Sequence, residues 1–286
     1  MADARCPASC GELLQGWILG GEKLISCPVD WFSEVSVTDG QPGVTERPQM
    51  RRMLETVVAH FGLPPDTAYG LHIDFTSTIP VAKGMASSTA DIAATAQATA
   101  RHLGATLDEA ALAALCVQLE PTDSTLFRQL TLFDHQTAGT TISCDWQPTM
   151  DILLLESPQT LNTADYHRLD RRQALLDNAD ALERAWRLFR AAAKTGDPVK
   201  LGEACTLSAR ASQRMLIKPA FIDLLDLVES SGIYGLNVAH SGSVVGLLLD
   251  RHHHDVEKLS RQLYQKGILR HYPNQYLLPM IAGGVR

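Results

Sequence analysis

The chain has 286 residues, of which 45% are hydrophobic and 20% charged, which suits one large or two modest cores and excludes extensive disorder. Its 25 Lys and Arg against 32 Asp and Glu leave a formal net charge of -7, arguing against a general nucleic-acid or anionic-membrane surface while allowing a small cationic pocket. No apolar run approaches the ~20 residues that span a bilayer, and the first ten residues carry neither an apolar h-region nor an Arg-rich amphipathic pattern, so no membrane role and a cytoplasmic location are expected.

In chain order, "EKLISCPVDWFSEVSVTDG" is rich in Val, Ile and Ser and breaks at Asp39-Gly40, as a strand does. "PQMRRMLETVVAHFG" places Met50, Leu54, Val57, Val58 and Phe61 on one helical face and stops at Gly62. "GLHIDFTSTIP" alternates Leu71, Ile73 and Phe75 with His72, Asp74 and Thr76, a half-buried strand. A second helix follows from Ser87 through the alanine-rich run, and a third in "TLDEAALAALCVQLEP", where Thr106 and Glu109 have capping-box spacing and Pro121 ends the helix beside Glu120. "TMDILLLESP" reads as a buried strand, and the stretch after Pro158 as polar and helix-rich, which divides the chain into residues 1–157 and 158–286.

The second half predicts one long amphipathic helix through Leu175, Leu182, Trp186 and Phe189, a helix with Asp197 as N-cap and Pro198 in its first turn, and a third ending at Gly232. Two short strands joined through Ser241-Gly242-Ser243, a helix over "DVEKLSRQLYQKG" and a strand at residues 268–272 complete an α+β arrangement of helices on a small, largely antiparallel sheet. The six cysteines form no C-x-x-C pair and are expected reduced. His252, His253 and His254 do not share a helix face and read as a solvated turn rather than a metal site. Trp17, Trp31, Trp146 and Trp186 read as packing anchors.

The stretch "IPVAKGMASSTADIAA" carries the chemistry. A strand, a Gly-containing loop and a helix start make an anion site, because the first-turn N–H groups are unpaired and carry partial positive charge. Gly84 would let the backbone approach a phosphate, Ser87, Ser88 and Thr89 offer hydroxyls, and Lys83 a point charge. The bland alternative, a serine serving only as N-cap, has equal weight from this spacing alone. Neither G-x-x-x-x-G-K-[ST] nor G-x-G-x-x-G occurs, so a P-loop or a Rossmann site is unsupported.

Pro80, Gly84, Met85, Ala86, Ser87, Ser88 and Thr89 resemble the P-x-x-x-G-[LM]-[GA]-S-S-x signature of the GHMP small-molecule kinases. "CPASCGELLQG" is similar to the first motif of that family, and "AHSGSVVGLLL" stands where its third belongs, so the resemblance spans nearly the whole chain. Ala86 and Thr89 replace the Gly and Ala of many members, and the third motif is poor in glycine. "PASCGELLQGW" followed by "SCPVDW" most resembles the branch that phosphorylates L-threonine for cobalamin synthesis, with homoserine kinases the nearest rival.

The resemblance implies a two-domain GHMP kinase fold, with an N-terminal domain like ribosomal S5 domain 2 and a ferredoxin-like C-terminal domain. It implies ATP bound at Pro80 and Lys83 to Thr89, Mg2+ held by Glu120 with Ser87 or Ser88, and Asp123 as general base for the acceptor hydroxyl. Ser87, Glu120 and Asp123 would be the catalytic set, and Glu12, Gln15, Ser241 and Gly242 would contact the small-molecule substrate. Asp30 is either a partner for a substrate ammonium or a turn residue. A ligand sensor of the same fold without turnover is the alternative from another class. The oligomeric state, homodimer included, stays open.

Overall fold

A computed structural model of the chain describes residues 1–160 and 171–286, so the polar stretch after Pro158 lies partly outside the described residues. Two long strands, β1 (Ala2–Ile18) and β2 (Gly21–Asp39), form a hairpin turned by Leu19 and Gly20, both at positive φ, the two-residue turn whose twist matches paired strands. β3 (Leu71–Ser77), β4 (Leu130–Phe133) and β5 (Thr141–Cys144) extend it on one side. β6 (Asp151–Glu156), β7 (Gly235–Val238), β8 (Val245–Leu249) and β9 (Asn274–Pro279) extend it on the other. Among the described residues all ladders are antiparallel, in the order β5-β4-β2-β1-β7-β8-β6-β9 with β3 on β2, so one nine-stranded sheet crosses residue 157.

The helices are α1 (Pro48–His60), the short α2 (Asp66–Tyr69), α3 (Ser87–His102), α4 (Glu109–Leu119), α5 (Arg172–Asp177), α6 (Ala179–Thr195), α7 (Pro198–Ser212), α8 (Phe221–Ser231) and α9 (Val256–Gln265). Every residue of α3 from Thr89 to Ala100 is buried, and its small side chains let its axis lie close to β1, β2 and α1. The helix that opens at the phosphate loop is thereby the central helix of the larger core. A second apolar cluster, including Leu153, Leu224, Leu247, Leu263 and Tyr272, lies in the C-terminal half.

Three sequence expectations need correction. The α4 N-cap is Asp108, which accepts the Ala111 N–H, and not Thr106, because the Glu109 carboxylate is engaged by the Arg128 N–H instead of closing a capping box. The long helix through Leu175 and Phe189 is two helices, broken at Asn178, whose side-chain amide donates to the Ala174 carbonyl. Residues 268–272 hold a 3-10 turn, Ile268–Arg270, after left-handed Gly267; the last strand is β9, which pairs with β6. Asp197 does cap α7 through the Val199 and Lys200 N–H groups. All six cysteines are free thiols. His252 and His253 lie exposed in a turn around Asp250, and Trp31, Trp146 and Trp186 pack on the core.

Candidate active site

Over the last five residues before α3 every second residue lies in the left-handed region: Ala82 at φ 60, Gly84 at φ 78 and Ala86 at φ 59. Such alternation turns successive N–H groups into one concavity, and the α3 N-terminus adds its own donors and partial charge. Ala86, not a serine, is the N-cap and offers no side-chain acceptor. Ser87 and Ser88 therefore lie inside the first turn with their hydroxyls not used as caps, which removes the bland reading of the two serines.

Gly84 to Thr89 form one wall of a cleft of about 170 Å³. Glu120, Pro121, Asp123, Glu12 and Ser241 also line it. Two glycine contacts bring the three segments together. A Cβ on Gly242 would lie 2.2 Å from the Gly84 nitrogen and the Lys83 carbonyl oxygen, so only glycine permits the Ala239–Ser243 loop to rest on the phosphate loop. A Cβ on Gly11, at φ +59, would meet the Val238 and Ala239 backbone at 2.6 to 2.7 Å. A larger groove, about 690 Å³ and lined by Asp3, Arg5, Glu34, Asp74, Arg101 and Arg286 among others, mixes charges on the sheet surface and includes no motif residue.

Other expected site residues stand outside the cleft. The Lys83 ammonium donates to the Ser157 and Gln159 carbonyls at 2.7 and 3.1 Å and lies 3.7 Å from Glu156, so its charge ties the phosphate loop to the end of β6. Pro80 lies in the loop ahead of the concavity without lining the cleft. Gln15 is buried, its amide donating to the Val238 carbonyl, and Asp30 is exposed in a β1–β2 register shift. Gly242 acts from behind the wall, and its carbonyl accepts the Lys218 ammonium at 2.8 Å.

The two acids are held differently. Glu120, C-cap of α4, accepts the Gln49 amide at 3.2 Å. Asp123 accepts the Thr89 hydroxyl at 3.1 Å while its own N–H donates back to that oxygen, and the next residue is pinned by reciprocal Ser26–Ser124 bonds of 2.8 and 2.9 Å. Burial pushes the Asp123 carboxyl above the usual range, with the His240 charge and the Thr89 hydroxyl acting against the rise. In the role of general base that the motifs imply, Asp123 must be ionised to accept a proton, so the acid limb of the activity profile should lie above that of an exposed aspartate. Thr89→Val is expected to lower kcat about tenfold, the worth of a hydrogen bond to a charged group. A Michaelis–Menten comparison checks it, and an unchanged kcat would show that Asp123 is held by other means.

Five charged or titratable residues near the cleft escape sequence reasoning. The Arg171 guanidinium lies 2.7 Å from Glu22, and His240 Nε2 lies 3.2 Å from the same oxygen, with the His135 ring edge-on to His240. Burial raises Glu22, but His240, His135 and Arg171 outweigh it and bring the carboxyl down to about 2. Glu22, His135 and His240 bring three potential ligand atoms within 4.8 Å of one another, but Arg171 already supplies positive charge there. Lys218 is buried behind Glu12. These residues come from separate segments spread between positions 22 and 240, and no local pattern marks them.

A concavity of N–H groups suited to an anionic tail, sharing a cleft with two carboxyl groups, is the equipment of a phosphoryl-transfer enzyme. The chain belongs to the GHMP kinase family: residues 49–127 match the N-terminal domain of GHMP kinases and residues 189–269 their C-terminal domain. It is 59% identical over 286 residues to an L-threonine kinase of Salmonella typhimurium, covering 100% of this chain and 95% of that protein. An L-threonine kinase of Citrobacter freundii is likewise 59% identical over 285 residues, with 100% and 99% covered. Among solved structures, a homoserine kinase from Cytophaga hutchinsonii superposes with TM-score 0.73 at 15% identity, covering 100% of this chain and 96% of that one. The mevalonate kinase of Methanococcus jannaschii gives 0.71 at 13%, covering 98% of each. These structures share the two-domain fold expected from the motifs. No helix among the described residues is long and apolar enough to cross a membrane.

Proposed function

We propose that this protein transfers the γ-phosphoryl group of ATP to the side-chain hydroxyl of L-threonine, giving L-threonine O-3-phosphate for adenosylcobalamin synthesis in the cytoplasm. The observation that carries the reaction type is the meeting, in one cleft, of the Ala82–Ser88 concavity with Glu120 and Asp123. The substrate follows from the kinases 59% identical over the full chain, which are named for threonine. Homoserine kinases enter through structures 14% and 15% identical, a likeness of fold.

In this reading the backbone N–H groups of the phosphate loop and the first turn of α3 grip the nucleotide's phosphates. Asp123 receives the hydroxyl proton as the threonine oxygen attacks phosphorus and the bond to the bridging oxygen of ADP breaks. The Ser87 and Ser88 hydroxyls and the Glu120 carboxylate are the hard oxygen donors that Mg2+ prefers, and they line the same cleft. Bound there, the ion would neutralise charge building between the β- and γ-phosphates. Residues 1–157 supply the loop and both acids, and residues 158–286 supply Ser241, which also lines the cleft.

The test is turnover of purified protein with ATP and Mg2+ against threonine, serine and homoserine, read as ADP release and phosphoamino-acid product. Threonine is expected to have the highest kcat/KM. Its advantage over serine should be about 10-fold to 200-fold, the range that one methyl group supplies. Faster turnover of homoserine would overturn the substrate, and ATP binding without transfer to any of the three would favour the sensor.

A further inference from the structure

Two carboxyl groups meet at the back of the cleft. The β1 register shifts on both sides of residue 12, and this bulge aims the Glu12 side chain inward, where it is 3% exposed. One Glu12 oxygen accepts the His240 N–H, and the carboxyl is in hydrogen-bond contact with that of Asp123. Two carboxyls in such contact in a buried site do not both ionise, so one proton lies between them. Asp123 is the better anion: it is half-buried where Glu12 is buried, and it accepts the Thr89 hydroxyl. Burial and the Asp123 charge push Glu12 well above the ordinary carboxylate range, against the opposing effects of the His240 N–H and Lys218.

Lys218 does not neutralise Glu12 by direct pairing, since its ammonium is engaged by the Gly242 carbonyl and no Glu12–Lys218 ion pair occurs among the described residues. Burial lowers Lys218 to about 7, with Glu12 opposing the fall. The titratable groups around Glu12 are Asp123 after α4, His240 after β7, Lys218 before α8, and Cys10 and Cys27 on β1 and β2. Burial raises both of these thiols, leaving them neutral.

We propose that Glu12 serves the reaction as a neutral carboxylic acid and not as an anion for the substrate: a positioning residue whose O–H donates to Asp123 while its other oxygen holds the His240 N–H. It thereby joins the base to the Ala239–Ser243 loop as one unit, and Lys218 braces the same loop at Gly242. This rests on the threonine kinase reading above and changes the role that the motif resemblance implies for Glu12.

The experiment compares Glu12→Leu and Glu12→Gln in the full chain, measuring kcat and KM for threonine and for ATP across pH. Leucine breaks both contacts and is expected to lower kcat about 100-fold, the cost of a misplaced reacting group. Glutamine keeps both, its amide N–H donating to Asp123 and its oxygen accepting from His240. It should recover kcat to within about fivefold of wild type, with threonine KM within about threefold and the acid limb retained. An anion that paired with the substrate ammonium would behave oppositely: glutamine would raise threonine KM about 30-fold or more with little effect on kcat, and the proposal falls. Failure of glutamine to recover kcat overturns it too, and the glutamine measurement stands by itself should the leucine variant not fold. Wild-type turnover of threonine in the same assay separates the two ideas, since its absence would sink the substrate assignment and not the Glu12 chemistry.

Discussion

Asp123→Ala is expected to lower kcat by about a thousandfold, within the range that a positioned general base contributes, while ATP binding changes by less than about threefold. The asymmetry follows from the architecture. Asp123 meets the start of α3 through the Thr89 side chain, so on the proposed reading its carboxylate serves the acceptor hydroxyl while the nucleotide is gripped by loop backbone to which no Asp123 carboxylate bond occurs among the described residues. Removing it leaves Thr89 without its acceptor and Glu12 without its partner, but the left-handed turns at Ala82, Gly84 and Ala86 are set by the backbone and persist. ADP release and calorimetric ATP binding measured on one preparation check the split. A residual rate within tenfold of wild type would mean that another group receives the proton.

The second large effect is expected at Gly242, where alanine should weaken ATP binding at least tenfold and reduce stability by about 1–3 kcal/mol, the usual cost of overpacking. The atoms that an added Cβ would meet, at 2.2 to 2.3 Å, are the Gly84 nitrogen and Cα and the Lys83 oxygen, all backbone. None can swing aside as a side-chain end could. Relief requires either the Ala239–Ser243 loop to lift, breaking the Ser243 and Val244 N–H bonds to the Lys83 carbonyl, or the phosphate loop to distort. Either movement spoils the concavity. Thermal unfolding and nucleotide titration test it, and an alanine variant with wild-type ATP affinity would show that the two loops need not touch.

The two substitutions probe parts of the site that differed in legibility. The phosphate loop was readable because its signal is local: a strand, a small-residue loop and a helix start within about fifteen positions restrict the backbone to few shapes. The Ser241-Gly242-Ser243 turn and the Asp197 cap were readable for the same reason. Lys83 shows the limit. Its place in the loop was clear, yet its flexible side chain had two kinds of acceptor in reach, a phosphate or the carbonyls leaving β6, and the fold supplied the second. Thr106 and Asp108 were similar, since both residue types cap helices and only the distant Arg128 N–H, by engaging Glu109, separates them.

By itself the sequence determined where much of the backbone must bend, that some helices start or stop at a local signal, as at Asp197 and Gly232, and that the Gly84–Thr89 turn is a candidate anion site, because each of these is decided by steric and hydrogen-bonding preferences within a few residues. Tertiary structure alone decided that Glu12 faces Asp123, that Lys218 braces Gly242, and that Glu22, His135 and His240 meet near Arg171. Those contacts depend on a nine-stranded sheet bringing residue 12 beside residue 238, and the free energy of such a pairing is shared across the whole core rather than encoded near either residue.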